Sequence, residues 1–209
     1  MSGQPAAPKS LADSGAVAAR HALVAASPHL APLRRLAERI RAERGLPVPE
    51  ADPLDGGVAA RLLLLLETPG PATGRTAFVS RDNPTGTAAN LFRFLAGAGI
   101  PRADTLIWNA VPWVIHAPGA RNRAPRTAEI RTAQAYLPPL LALMPNLAVV
   151  VLSGRVSQTL APLLAEARPD LPQVAIPHPS PTYVCTSPAV PARIAAGLAE
   201  AARHLGLPG

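Results

Sequence analysis

Cysteine is nearly absent from this 209-residue sequence, Cys185 being the single one. One thiol excludes an intramolecular disulfide and any zinc or iron–sulfur site that needs four cysteine ligands. It also fits a reducing, cytoplasmic setting. Lysine is as scarce: Lys9 is the only one among 20 basic residues. No stretch reaches the roughly 18 consecutive apolar residues of a membrane-spanning helix. The opening MSGQPAAPKS lacks the apolar core of a secretory signal. No G-x-G-x-x-G loop follows the first apolar run, which argues against a dinucleotide-binding enzyme.

What is there suits a folded protein. The chain is 48% hydrophobic, and its length allows one domain with a sizeable core plus an extension. The formal net charge of +7 and a pI near 11.1 suit a polyanionic partner such as nucleic acid. The abundance of Arg, Ala and Pro is also what a general compositional bias would produce.

The stretch Leu62 to Pro71, LLLLLETPGP, anchors the reading. Five leucines followed by turn residues read as a strand buried on both faces, as in a parallel sheet. In such sheets ligands sit beyond the carboxyl ends of the strands, where Glu67 and Thr68 fall. Residues 1–15 read as a disordered tail and 16–57 as a helical extension and connection, with helices at 16–26 and 32–44. A catalytic-type domain is expected over 58–207. Its strands are expected at 61–66, 105–109, 148–152 and 174–176, and its helices at 85–98, 127–143, 154–167 and 189–205. Alternating strands and helices predict a three-layer α/β/α sandwich around a four-stranded parallel sheet. The strand ends then deliver Glu67, Thr68, Asn109, Ser153, Gly154 and His178 to one edge.

These residues carry a resemblance to the uracil-DNA glycosylase superfamily. ETPG (67–70) resembles the Gly-Glu-Ala-Pro-Gly motif of its iron–sulfur branch. AFVS (77–80) resembles Pro-Phe-Val-Gly. WNAVP (108–112) followed by NRAPRTAEI (122–130) resembles the Thr-Asn-Val-Val and Asn-Arg-x-Pro segments, and HPSP (178–181) is the second superfamily motif. The likeness covers about residues 55 to 205. Leu66 stands where the first motif has glycine, Thr68 stands where the classical branch has aspartate, and the cluster cysteines are missing. The chain therefore resembles a divergent member with no iron–sulfur cluster, no metal and no other cofactor.

The resemblance implies a monomer that excises uracil from DNA after flipping the nucleotide out of the duplex. An amide at Asn109 can donate to uracil O4 and accept from N3–H, two demands that cytosine reverses. Phe78 would stack on the base, with Gly70 close to it. His178 would donate to O2 as the base leaves with negative charge. Glu67 and Thr68 would orient water or offset the cationic sugar, with Asp82 as a rival carboxylate. Ser180, Thr182 and Tyr183 would meet the DNA, Thr182 at the family's wedge position, and Arg81, Arg121 and Arg123 would contact phosphates. The alternative is a non-catalytic sensor of uracil-containing or abasic DNA.

Overall fold

The computed structural model describes residues 7–70, 73–117, 120 and 122–207. Its centre is a four-stranded parallel sheet of β1 (Leu62–Leu66), β2 (Thr105–Asn109), β3 (Val149–Ser153) and β4 (Gln173–Ile176), in the order β2-β1-β3-β4. The leucine run is the inner strand β1. Side chains on a strand alternate between faces, so the run feeds two cores. Leu63 and Leu65 enter one core, Leu62 and Leu64 the other. The first core is closed by α2 (Ala31–Arg44), α4 (Thr127–Gln134), α5 (Leu137–Ala142) and α6 (Ala161–Ala167). The second is closed by α3 (Gly86–Gly97) and α7 (Ala189–His204). This is the expected α/β/α arrangement. Among the described residues, no helix is long and apolar enough to cross a membrane.

Two expected helices are divided, and proline accounts for both. The helix read over 127–143 stops at Gln134 and resumes at Leu137. Pro138 has no N–H to offer the Gln134 carbonyl four residues earlier. The helix read over 154–167 is a turn at Arg155–Gln158 followed by α6 from Ala161, because Pro162 leaves the Gln158 carbonyl without its donor in the same way.

The N-terminal part is woven into the rest. Leu33, Leu36 and Ile40 of α2 share a core with Leu63, Leu65 and Trp108. The second half of the segment read as a free tail is docked: Leu11 is buried and its N–H donates to the Asp82 carbonyl at 3.1 Å. Residues 1–6 of that segment lie outside the described residues.

Helix α1 (Ser14–Ala25) is held by a cluster of three arginines and three aspartates, all buried except the partly exposed Arg102. Arg20 of α1 pairs with Asp52 at 2.5 Å and with Asp82 at 3.0 Å. Arg102 reaches Asp52, Asp55 and Asp82 at 3.0, 3.0 and 2.8 Å. Arg81 lies 3.6 Å from Asp55. Ser80 also donates to Asp52. The six groups depend on one another, since leaving one ion without its partners in a buried set costs on the order of 3–5 kcal/mol. The cluster thereby fixes the 80–83 loop, which borders the site.

Candidate active site

The parallel register brings the polar strand ends together. Leu66 pairs with Asn109, and Ser153 pairs with Ile176, two residues before His178. The chain leaves β1 toward β2 on one side, while β3 lies on the other, so β1 and β3 flank a topological switch point where crevices form. A cleft of about 470 Å³ opens at this edge. Glu67, Thr68, Gly70, Asn109, Arg123, His178, Ser180, Thr182 and Tyr183 all line it.

Asn109 ends β2 and is 3% exposed. Its Oδ1 is buried with no hydrogen-bond partner among the described residues. An orphaned acceptor of that kind costs about 1–3 kcal/mol, so it marks a place where a ligand can supply the missing donor.

His178 follows β4 through Pro177. Its Nδ1 accepts the Ser180 N–H at 3.2 Å. A ring nitrogen that accepts carries no proton, so the neutral imidazole holds its proton on Nε2 and presents a donor. Burial lowers the pKa of His178 below its usual value, outweighing the opposing pull of the Glu67 carboxylate. Burial and the Ser180 hydrogen bond both favour the neutral ring.

Glu67 turns toward β3. Its Oε1 accepts the Val156 N–H at 3.3 Å. Gly154, at φ +92°, leaves room for it. A smaller cavity of about 210 Å³ shares Glu67, His178 and Tyr183 with the cleft and adds Arg155 and Arg193. Tyr183 is 46% exposed at the rim, its ring 6.5 Å from that of His178.

Two expected contacts are placed differently. Phe78 does not line the cleft: it is fully buried and packs on His21 of α1, the ring centroids 4.5 Å apart. Arg81 is 4% exposed inside the ion cluster, beyond the reach of a DNA phosphate. Burial lowers its pKa, against the opposing attraction of Asp55. Arg121 lies outside the described residues. Arg123 is at the cleft, held in a two-pronged pair with Glu129 at 2.6 and 2.8 Å. Asp82, the rival carboxylate, is buried against Arg20 and Arg102 and does not border the cleft.

The structure also adds residues. Asn83 and Thr85 line the cleft from the DNPTG segment. Asn83 is locked by hydrogen bonds from Thr76 Oγ1 and to the Phe78 carbonyl, both at 2.8 Å. Thr85 caps α3 through the Ala88 N–H at 3.1 Å. The capping pattern is legible in the sequence; that it faces the site is not.

A carboxylate, an orphaned amide acceptor and a fixed imidazole donor thus share one cleft at the carboxyl edge of a parallel sheet. Residues 54–199, well over half of the chain, match the family model described as the Uracil DNA glycosylase superfamily. No curated protein matches the chain. With ordered motifs, fold, cleft and family match in accord, the chain belongs to the uracil-DNA glycosylase superfamily.

Proposed function

We propose that this DNA glycosylase hydrolyses the N-glycosidic bond of uracil flipped out of DNA and leaves an abasic site. The observation that carries the choice of base is Asn109, a residue that lines the cleft and whose buried Oδ1 has no hydrogen-bond partner among the described residues. Oδ1 would accept from uracil N3–H while Nδ2 donates to O4. Cytosine offers an acceptor at N3 and a donor at N4, so the same amide rejects it.

The rest of the cleft supports the chemistry. Breakage of the C1′–N1 bond leaves positive charge on the sugar and negative charge on the base. The His178 Nε2–H stabilises the charge growing on O2, an interaction worth most in the transition state. Glu67 offsets the sugar cation. Water, positioned by Glu67 and Thr68, adds its oxygen to C1′. Its proton passes to the carboxylate, and the uracil anion is reprotonated from solvent. The fit for an iron–sulfur cluster is absent, since an exposed Cys185 cannot furnish four thiolates.

Ser180, Thr182 and Tyr183 form the rim over which a DNA strand would run. Arg123, Arg155 and Arg193 are the nearby cations for its phosphates, replacing Arg81 in that role. Binding through such contacts weakens steeply as salt rises. The test is a panel of oligonucleotides carrying uracil, hypoxanthine or a thymine mismatch, with the released base identified. Free uracil from the first substrate supports the reading. Tight binding of uracil-containing DNA without base release would instead favour the non-catalytic sensor.

A further inference from the structure

We propose that Asn90, on the second turn of α3, is a positioning residue that sets the tautomer of His178. The inference rests on the glycosylase reading for its consequence in catalysis, but not for its geometry.

The Asn90 side chain reaches across to the HPSP segment, where its Nδ2 donates to the Pro179 carbonyl at 2.9 Å. That carbonyl belongs to the same peptide unit as the Ser180 N–H, which donates to His178 Nδ1 at 3.2 Å. The described chain has no cis peptide bond, so the C=O and N–H of this unit point in opposite directions. Fixing one end of the plane therefore fixes the other. Asn90 holds the carbonyl, and the N–H is held against the imidazole. Donation to a peptide carbonyl also polarises its N–H, which strengthens the second bond.

A second contact from the same helix supports the arrangement. A Cβ added to Gly86, the first residue of α3, would lie 2.3 Å from Cγ of Pro181. The helix thus touches the HPSP segment at two points, Pro179 and Pro181, on either side of Ser180. Asn90 bonds to the peptide and is not among the residues that line the cleft, so it acts through His178.

The test uses Asn90→Ala and Asn90→Asp in the full chain, read first by ring ¹⁵N NMR of His178. The wild type is expected to show the Nε2–H tautomer alone at neutral pH. Both variants are expected to show a mixture of tautomers and a His178 pKa moved upward, because the amide no longer competes with a proton at Nδ1. Single-turnover uracil release at saturating enzyme should fall about 3- to 10-fold, the scale of one net hydrogen bond, with DNA affinity nearly unchanged. Asp should be the worse of the two, since its carboxylate repels the Pro179 carbonyl. Unaltered ¹⁵N shifts and pKa in both variants would overturn the proposal. So would a rate loss that tracks weakened DNA binding or lowered thermal stability with the tautomer intact. If the wild type releases no uracil, the proposed function fails while the NMR outcome still decides the role of Asn90.

Discussion

A Cβ placed on Gly154 would stand 2.7 Å from Oε1 of Glu67, so the glycine at the end of β3 is the space into which the carboxylate fits. The same residue has φ +92° and ψ 168°, a backbone region open almost only to glycine. Gly154→Ala should therefore act twice. Urea unfolding should show a stability decrease of about 1–3 kcal/mol from backbone strain, and uracil release should slow because Glu67 is displaced. A variant with wild-type stability and rate would contradict this packing.

Glu67 and Asp82 should separate cleanly. Asp82 is ion-paired with Arg20 and Arg102 away from the cleft. Asp82→Asn should lower the urea midpoint while the protein that remains folded excises uracil at nearly the parent rate. Glu67→Gln should keep the midpoint and slow the chemical step by roughly 10²-fold, the usual scale for removing one group that stabilises transition-state charge. Loss of excision in a folded Asp82→Asn protein, with Glu67→Gln active, would reverse the assignment.

Asp55 gives the ion cluster a pH signature. Burial, reinforced by Asp52 and Asp82, outweighs the attraction of Arg81 and Arg102 and raises its pKa from 3.8 to about 7. Between those values the folded protein holds a proton that the unfolded chain has released. Its contribution to stability is thus fully present below pH 3.8 and is lost as pH rises toward 7. Asp55→Asn should remove this part of the pH dependence. The stability difference between wild type and variant, measured by urea unfolding across roughly pH 4 to 8, should shift in favour of the variant as pH rises. A difference that is constant over that range would refute the assignment.

Much of the fold is legible in the sequence because the information is local. The strand at 105–109 can be read to the residue, and β1 to within one, since short apolar runs bounded by turn residues have few alternative structures. The parallel sheet then places Glu67, Asn109 and His178 together without further information. Phe78, Arg81 and Asp82 escape such a reading because their surroundings come from afar. His21 and Arg20 of α1 are about sixty residues away in sequence, and nothing in AFVSRD announces that a helix will dock on it. Asn90 is invisible for the same reason: its partner, Pro179, is 89 positions distant. Pro138 and Pro162 are visible, and their effect on the two divided helices follows from the missing N–H alone.

Salt should leave a trace of the same site. Arg155 and Arg193 border the cavity beside Glu67 and His178. Replacing either with Ala should weaken DNA binding with little dependence on sequence. The slope of log affinity against log salt should become shallower by about 1 for each phosphate left without its arginine. An unchanged slope in both variants would place the DNA path elsewhere.

The central claim is that Asn109 reads uracil and His178 stabilises its departure. Single-turnover release of uracil from an oligonucleotide with one uracil, compared among wild type, Asn109→Asp and His178→Ala, tests it most directly. Asn109→Asp puts an acceptor where O4 needs a donor, and release should fall by about 10²-fold or more. His178→Ala should fall by about 10²-fold with DNA affinity nearly intact, because its hydrogen bond strengthens only as the base gains charge. If both variants release uracil at the wild-type rate, the site has been misassigned.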